Sequence, residues 1–448
     1  MNAPRHSSCT LRSGLATVLL AMLALPAVAS LAQTQEESVR FDFGHGPRKP
    51  GFEKVDSDTL YDEVRGFGLE PGASAASLDR AVADTVDRDL LVAVNSPFLF
   101  SVRLPEGNHR VRVVLGDPAG EADCTVKAES RRLMLERITT TAGQLRTEEF
   151  TVNIRRATLV PPPANAPGLT RVQLNDREVG TYTWDDKLTL EFTGPRACVA
   201  SVEISPAKDT RTVFLIGDST VTDQGGEPAA GWGQMLPRFL TPEVAVANHA
   251  ESGETLKSFL MEGRLAKVLE QVKAGDYLFI QFGHNDSKTQ WPQTFADADS
   301  TYPAYLRAVV AEARLRGVIP VLVTSMHRRK FDKTGHVVDT HGGYPAAVRR
   351  VAAELYVPLI DLHALSAGFY EKLGVEGSAV AFTDATHHNN YGGYQLARLV
   401  AGEIQRQIPG LAAHLRPGLV REPWVPDEPA TWTMAPSALR QKVAPRGN

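Results

Sequence analysis

The sequence predicts an α/β fold in two parts, an antiparallel β-sandwich followed by a doubly wound domain with about five parallel strands. The chain has 448 residues, which is more than one compact core usually holds. Its hydrophobic pattern also changes near Thr212, where short alternating runs give way to continuous apolar runs. Alternating runs indicate half-buried strands, and continuous runs joined by amphipathic helices indicate a parallel sheet covered on both faces.

Residues 1–29 have the composition of a secretory signal peptide. Arg5 and Arg12 precede an apolar segment at 15–25, and Ala27-Val28-Ala29 offers a small-x-small cleavage site. The apolar segment is short for a membrane span, although a retained anchor is the alternative. We therefore expect a secreted or periplasmic protein that is free of the membrane after cleavage.

The composition excludes one class of partner. With 43% hydrophobic and 22% charged residues the chain is typical of a globular protein, and a formal net charge of −4 gives no basic excess for nucleic acid. Cys124 and Cys198 remain after signal removal. In an oxidising compartment they form either a disulfide or two buried thiols, and both alternatives stay open, as does the oligomeric state.

Residues 36–208 carry the alternating pattern. The runs lie at residues 98–104, 110–113, 187–192 and 202–204. Clusters of Gly, Pro and Asn separate them, as is typical of an antiparallel β-sandwich. Four aromatic residues are expected to lie in its strands and to fill its core rather than to bind sugar: Phe98, Phe100, Tyr182 and Trp184.

Residues 211–411 carry the α/β pattern, in which apolar runs lead into polar segments. The runs lie at residues 212–216, 244–247, 277–282, 318–324 and 357–360. Ligands bind beyond the carboxyl ends of such strands, so the polar segments are where we expect the site. Residues 412–448 are rich in Pro and aperiodic, and are expected either to wrap the surface or to stay disordered.

Ser219 is the candidate nucleophile. It lies in the segment GDST at 217–220, which leaves the first parallel strand at its carboxyl end. The alternative is an ordinary strand-to-helix turn in which Ser219 only caps the next helix. Asp218 is interpreted as structural, because neighbours along a turn point apart. No G-x-S-x-G elbow, Walker loop or G-x-G-x-x-G fingerprint occurs, which argues against a nucleotide-using enzyme.

A base and the group that orients it are predicted from FTDATHHNNYGG at 382–393. Asp384 and His387 lie three residues apart, which places both side chains on one side of a turn. His387 would accept the proton of Ser219 while Asp384 holds the imidazole. The alternatives are a helix N-cap at Asp384 and a metal site built from Asp384, His387 and His388. Because no further cluster with metal-ligand spacing appears, we expect no metal.

Oxyanion donors are predicted in two further segments. Gly253 follows the second apolar run and can present its backbone N–H at close range, and Asn285 in FGHND follows the third run and carries an amide. With the Ser219 N–H they make three donors. The alternative for FGHND is a polar turn, and Asp286 is interpreted as structural.

These segments resemble, in the same order, the four blocks of the SGNH (GDSL) hydrolases. The resemblance is closer to the rhamnogalacturonan acetylesterase branch, through GWGQML, NHAESGETLKSF, FGHNDSK, THHNNYGG and the stretch from RRKFDKTG to LIDL. The opening VRFDFGHGPRKPGFEKVDSDTLYDEVRGFGLEPG also resembles the galactose-binding-like β-sandwich that precedes the esterase in bacterial members. The resemblance covers nearly all of the chain between the signal peptide and the tail.

The resemblance implies a flavodoxin-like three-layer α/β/α domain and a hydrolase without a cofactor. It implies that Ser219 is the nucleophile, that Asp384 and His387 complete a triad, and that Gly253 and Asn285 complete an oxyanion hole with the Ser219 amide. The implied reaction is hydrolysis of acetyl esters on pectic polysaccharide through an acetyl-enzyme intermediate.

Two departures from the branch bear on the substrate. Glu254 stands where the branch often has Arg, and His388 stands where an aromatic residue usually follows the catalytic histidine. The alternatives are an acetylxylan or other short-chain esterase on the same fold, and a carbohydrate-binding protein with a lapsed active site. A lipase or thioesterase is a weaker alternative, because only 7% of the residues are aromatic and no apolar lid is evident.

Overall fold

The computed structural model describes residues 38–81 and 87–440. The predicted signal peptide at 1–29 lies outside the described residues. Among the helices that are described, none combines the length and the apolar character needed to cross a membrane.

The N-terminal part is a β-sandwich. Its strands are β1 (Val39–Phe43), β2 (Glu53–Val55), β3 (Phe67–Leu69), β4 (Ala75–Asp79), β5 (Asp89–Ala93), β6 (Phe98–Arg103), β7 (Gly107–Gly116), β8 (Ala122–Ala128), β9 (Arg132–Thr140), β10 (Leu145–Ile154), β11 (Lys187–Arg196) and β12 (Cys198–Pro206). One sheet has the order β3-β6-β11-β8-β9 and is antiparallel. The facing sheet contains β10-β7-β12-β1-β2, with β5 beside β12 and β4 beside β5. The predicted sandwich is confirmed.

Aromatic side chains pack between the two sheets. Phe100 of β6 contacts Phe43 of β1 across the sandwich, with ring centroids 5.1 Å apart, and Phe98 is buried in the same core. Both residues are therefore core residues, as predicted. The prediction that these aromatic residues lie in strands is wrong for Tyr182 and Trp184, which belong to an irregular, partly buried segment between β10 and β11. Trp184 nevertheless packs against a small separate hydrophobic cluster. Apolar and polar residues alternate in this segment, but its backbone does not pair as a strand.

The two cysteines are free thiols. Cys124 in β8 and Cys198 in β12 are both buried and unbridged. Burial raises the pKa of both thiols above the ordinary value, that of Cys198 to about 11. Both are therefore uncharged at neutral pH and pack as small apolar side chains.

The C-terminal part is a three-layer α/β/α domain. Its strands are β13 (Arg211–Gly217), β14 (Val244–Asn248), β15 (Tyr277–Gln281), β16 (Ile319–Val323) and β17 (Leu359–Ile360). Its helices are α1 (Trp232–Met235), α2 (Leu256–Met261), α3 (Arg264–Gln271), α4 (Thr301–Leu315), α5 (Tyr344–Leu355), α6 (Leu362–Leu373), α7 (Asn390–Gln407) and α8 (Pro409–Ala412). The strands are parallel, in the order β17-β16-β15-β13-β14. All five predicted strands are present.

Strand β13 shows why apolar runs in this half do not alternate. Val213 and Leu215 pack in the core that contains side chains of α1, α6 and α7, whereas Phe214 and Ile216 pack on the opposite face with α2 to α5. Helices cover both faces, so every residue from 212 to 217 is buried. The strand ends are thus the places where polar residues reach a surface.

The two parts share a sheet, which the sequence did not predict. Strand β10 of the sandwich lies parallel to β14, with Val152 opposite Val246, and the result is one twelve-stranded sheet. A buried ion pair adds a second link: Arg264 of α3 donates to both carboxylate oxygens of Glu178 at 2.8 and 2.6 Å. Strand β14 therefore has a neighbour on each side and no open edge.

The described part of the C-terminal tail, residues 413–440, wraps the surface. Trp424 packs against Phe369 of α6 with ring centroids 5.5 Å apart, and Trp432 packs against Tyr391 of α7 at 5.4 Å. Further along, the Ser437 hydroxyl donates to a carboxylate oxygen of Glu191 in β11 at 2.8 Å. Of the two alternatives for the tail, this segment follows the first, and residues 441–448 lie outside the described chain.

Candidate active site

The turn after β13 places Ser219 at the carboxyl edge of the parallel sheet. A Cβ atom at Gly217 would come within 2.7 Å of the Gln281 carbonyl oxygen in β15, so the strand ends here on glycine. The Asp218 carboxylate stays inside the turn, where Oδ1 accepts hydrogen bonds from the N–H and hydroxyl of Thr220 at 3.0 and 2.8 Å. This geometry agrees with the structural interpretation of Asp218.

Hydrogen bonds join Ser219 to His387 and Asp384. Ser219 Oγ lies 2.9 Å from His387 Nε2, and His387 Nδ1 lies 2.8 Å from Asp384 Oδ2. The helix after Ser219, α1, has Gly231 as its N-cap, and α7 has Asn389, so neither capping alternative describes the structure. In this arrangement an imidazole can remove the proton of a serine hydroxyl.

The loop at 382–388 fixes this pair. Thr383 N–H donates to the His387 carbonyl oxygen at 2.8 Å, and the N–H groups of Thr386 and His387 donate to Asp384 Oδ1 at 2.7 Å. Burial favours the neutral carboxyl, but the bonds from the His387 ring and from the two amides outweigh it and hold the pKa of Asp384 well below its ordinary value. A charged Asp384 fixes the tautomer in which Nδ1 carries the proton and Nε2 faces the serine.

The predicted oxyanion donors lie on the loops after β14 and β15, the two neighbours of β13. Gly253 has a φ of 87°, a conformation that favours glycine. The Asn285 amide donates to the Glu254 carbonyl oxygen at 3.1 Å, and Lys288 Nζ donates to Asn285 Oδ1 at 3.0 Å. Within the described chain, the backbone N–H groups of Ser219 and Gly253 donate no hydrogen bond. Both are thus available to a ligand.

Asp286 holds the two donor loops together. Its Oδ1 accepts a hydrogen bond from the N–H of Leu256, the first residue of α2, and its Oδ2 accepts one from the N–H of Gly283, both at 2.9 Å. Burial is the main influence on this carboxyl and raises its pKa to about 7. The side chain bonds backbone amides rather than facing the serine, in line with its structural interpretation.

The two departures from the branch differ in their surroundings. The Glu254 carboxylate accepts a hydrogen bond from Ser258 Oγ at 2.6 Å, lies 3.4 Å from Arg264 and borders a cavity. The His388 ring lies 2.8 Å from the Tyr370 hydroxyl and is buried. Glu254 therefore lies where it can contact a substrate, whereas His388 faces the core.

One cavity is lined by the predicted oxyanion donor Gly253, and a second is lined by the preceding residue, Ser252. One has a volume of about 550 Å³ and is lined by Gly253 and Trp291 among others. The other, of about 520 Å³, is lined by Gln224 of the α/β domain and by Arg155 and Trp184, which come from the N-terminal part. The N-terminal part therefore supplies one wall of this second cavity.

Arg155 is a buried cation in the wall of the second cavity. The residue is 2% exposed, its guanidinium lies 4.4 Å from the Trp184 ring, and its Nε and Nη1 have no hydrogen-bond partner among the described residues. Burial, together with the nearby Arg132, lowers its pKa to about 9, so it stays charged at neutral pH.

A second polar group lies beyond β16 and β17 and was missed in the sequence. Its members, His327, Asp339, His341 and His363, have potential ligand atoms within 4.8 Å of one another. They come from one long loop and from α6. Only Asp339 and His341 lie close together in the sequence, two residues apart. Burial lowers the pKa of His327 to about 4 and that of His341 to about 3, so both imidazoles are neutral at pH 7.

Comparison with known families gives one match in each half of the chain. Residues 215–396 match the GDSL-like Lipase/Acylhydrolase family. Residues 39–160 match the family described as Beta-agarase/YXIM esterase-like, galactose-binding domain-like. The first match contains Ser219, Gly253, Asn285, Asp384 and His387.

Individual relatives are esterases of Bacillus subtilis (strain 168). Rhamnogalacturonan acetylesterase RhgT is 40% identical over 220 residues, which are 45% of this chain and 93% of the relative. Probable rhamnogalacturonan acetylesterase YesY is 35% identical over 200 residues, 43% of this chain and 92% of the relative. The uncharacterized esterase YxiM is 26% identical over 401 residues, 87% of this chain and 96% of the relative. The crystal structure of YxiM from the same species has a TM-score of 0.45 at 25% identity and covers 84% of this chain and 99% of its own.

Proposed function

The chain belongs to the GDSL-like lipase/acylhydrolase family and is a carboxylic ester hydrolase, and from this we propose that it is an exported enzyme that removes O-acetyl groups from rhamnogalacturonan. The hydrogen-bonded chain from Asp384 through His387 to Ser219 is the observation that carries the proposal, with distances of 2.8 and 2.9 Å. A carbohydrate-binding protein without activity would have no need of this geometry.

The proposed reaction proceeds through an acetyl-enzyme. Ser219 Oγ attacks the acetyl carbonyl carbon while His387 Nε2 takes the hydroxyl proton. The bond between the carbonyl carbon and the sugar oxygen then breaks, and His387 passes its proton to that oxygen. A water molecule then attacks the acetyl carbonyl carbon and loses a proton to His387. The bond between that carbon and Ser219 Oγ breaks, His387 returns the proton to Oγ, and acetate leaves. Asp384 stays charged and stabilises the imidazolium in both halves.

The negative charge that develops on the carbonyl oxygen is assigned to three donors. These are the N–H groups of Ser219 and Gly253 and the amide of Asn285, whose orientation Lys288 fixes through a 3.0 Å hydrogen bond to Oδ1. Such donors are positioned before the reaction, so they stabilise the transition state without reorganisation.

Two observations support a pectic substrate. The relative that is 40% identical is named a rhamnogalacturonan acetylesterase, and the one that is 35% identical bears the name "Probable rhamnogalacturonan acetylesterase". Arg155 is buried, its Nε and Nη1 have no hydrogen-bond partner among the described residues, and it lines a cavity that reaches Ser252, the residue before Gly253. Rhamnogalacturonan carries galacturonate carboxylates, and a buried guanidinium is complementary to one, whereas acetylxylan and triacylglycerol offer it no such charge.

The test is acetate release by the purified protein from acetylated rhamnogalacturonan, acetylxylan and triacetin, with Ser219→Ala alongside. We expect release mainly from the pectic polymer and a loss of about a thousandfold or more in the variant. Ser287→Ala, a change at a nearby serine outside the triad, is the control. Release mainly from acetylxylan would keep the mechanism and discard the pectic substrate. No release from any polymer would favour the carbohydrate-binding alternative.

Export has its own test. We expect the mature protein to begin after Ala29 when the full chain is produced in a cell with a secretion pathway, because residues 27–29 form the small-x-small site. Amino-terminal sequencing of the protein from the medium or periplasm measures this. Retention of residues 1–29 in a membrane fraction would identify the segment as an anchor.

A further inference from the structure

Three histidines and one aspartate gather at the carboxyl ends of β16 and β17, outside the triad. His327, Asp339 and His341 lie in the loop between β16 and α5, and His363 lies in the first turn of α6. The nitrogen and oxygen atoms that these side chains can offer to a metal ion lie within 4.8 Å of one another. The fold, rather than local spacing, brings them together.

Two of the imidazoles carry a nitrogen without a partner. His327 and His341 are 5% and 2% exposed, and Nδ1 of each has no hydrogen-bond partner among the described residues. A buried polar atom without a partner costs stability. His341 Nδ1 lies 3.8 Å from Asp339 Oδ1, which is too long for a hydrogen bond but suits two atoms that bind the same ion.

The spacing of the group is close to that of a zinc site. His363 Nε2 lies 3.3 Å from Asp339 Oδ1. Two ligands of a tetrahedral zinc ion with bonds of 2.0–2.1 Å are roughly 3.3 Å apart, so this pair already has the required separation. The Asp339 side chain is 48% exposed, which leaves a path from solvent to the centre of the group.

The types of ligand atom in this group indicate which metal ions it would bind. Three imidazole nitrogens and one carboxylate oxygen form a set that zinc and the neighbouring transition metals prefer. Magnesium and calcium prefer sites made of oxygen ligands, so they are disfavoured here.

The group is connected to the predicted oxyanion donors. His341 Nε2 lies 3.0 Å from Nδ1 of His284, the residue before Asn285. Arg328, in the same loop, donates to the His284 carbonyl oxygen at 3.1 Å. An ion that fixes the ring of His341 therefore also fixes His284, in the way that a second residue commonly supports a metal-bound histidine.

We propose that His327, Asp339, His341 and His363 bind one zinc ion, and that this ion positions the His284–Asn285 segment through His341. The ion touches no substrate in this proposal and is structural. A zinc ion at this position differs from the sequence-based expectation that the protein binds no metal.

Zinc binding by the full-length protein tests the site directly. After removal of metals with a chelator, titration with Zn²⁺ should show one ion per chain, and elemental analysis should recover it after gel filtration. His363→Ala should weaken binding by a hundredfold or more. The control is His336→Ala, because His336 lies in the same loop with a side chain 72% exposed. No binding by the wild type, or equal binding by His363→Ala, would overturn the proposal.

Two further measurements separate the site from a failure to fold and from the proposed esterase activity. Co²⁺ bound to the wild-type protein should give the visible absorption of a four-coordinate ion, which needs no variant and no substrate; a spectrum of six-coordinate Co²⁺ would contradict the site. Removal of zinc should lower kcat on p-nitrophenyl acetate several-fold with little change in KM. Bound zinc whose removal leaves kcat unchanged would overturn the positioning role alone.

Discussion

The Nε2 atom of His387 lies 2.9 Å from the Oγ atom of Ser219, although 168 residues separate them in sequence. The two residues meet because β13 and the loop before α7 end at the same edge of the parallel sheet. This contact and the Asp384 bond behind it are the basis of the first two predictions.

Asp384→Asn should lower kcat about 10⁴-fold while changing KM little, because an asparagine can stabilise neither the reactive tautomer nor the imidazolium. Hydrolysis of p-nitrophenyl acetate measures both constants. The control is Asp299→Asn, a change at an exposed aspartate in the loop before α4. A kcat within tenfold of the wild type would show that Asp384 does not orient the base.

Protonation of Asp384 should contribute no step to the pH profile of activity between about pH 5 and 8. Its pKa is held below the ordinary value, so its charge is present above about pH 4 and is lost only as the pH falls below that. A profile of kcat/KM from pH 4 to 9 tests this, and a carboxyl group that titrates near pH 5 and is absent from Asp384→Asn would show that Asp384 loses its charge within this range.

Lys288 should set the alkaline limb of activity. Burial, with Arg328 nearby, lowers its pKa to about 8, so its charged hydrogen bond to Asn285 is present below that pH and weakens above it. We expect kcat to decline above pH 8 in the wild type and to remain level in Lys288→Arg, which keeps the charge. An identical decline above pH 8 in Lys288→Arg would assign the decline to another group.

Asn285→Ala should lower kcat 10²- to 10³-fold at every pH, the usual loss for an oxyanion donor.

Arg155→Gln should raise KM about 10- to 100-fold for acetylated rhamnogalacturonan oligosaccharides and leave hydrolysis of p-nitrophenyl acetate unchanged. The range follows from about 1.5–3 kcal/mol for a hydrogen bond to a charged group. Arg48→Gln, at an exposed arginine of the sandwich, serves as the comparison. Equal losses on both substrates would indicate a folding defect rather than lost recognition of a carboxylate.

Glu178→Ala should reduce the free energy of unfolding by about 3–5 kcal/mol, because it leaves the buried Arg264 without its main partner. Urea denaturation followed by tryptophan fluorescence measures the change. Glu354→Ala removes the partner of Arg307 in an exposed pair and should have a much smaller effect. Similar losses in the two variants would mean that burial does not govern the strength of the Arg264 pair.

The sequence predicted those features of the site that depend on the ends of single strands. Ser219, Gly253 and Asn285 follow three consecutive strands of the α/β domain, and the rule that ligands bind at such ends brings them together. The pair Asp384 and His387 was visible from a three-residue spacing. Each of these signals is local.

The features that the sequence did not predict depend on contacts between distant segments. His327 and His363 come together only because β16 and β17 are neighbours in the sheet. The wall formed by Arg155 and Trp184 requires the N-terminal part to lie beside the loop after β13. The alternation around Trp184 is typical of a strand, but alternation in a short run does not reveal whether the run pairs with a neighbour.

The pairing of β10 with β14 also limits how this protein can be taken apart or recombined. A chain shortened to begin near residue 211 would expose the backbone of β14 to solvent, and an unprotected strand edge promotes aggregation. Relatives such as RhgT align with only 45% of this chain, so exchange of catalytic halves between such enzymes is an obvious engineering route. A hybrid would remain soluble only if the incoming partner supplied a strand for that edge or carried charges that shield it.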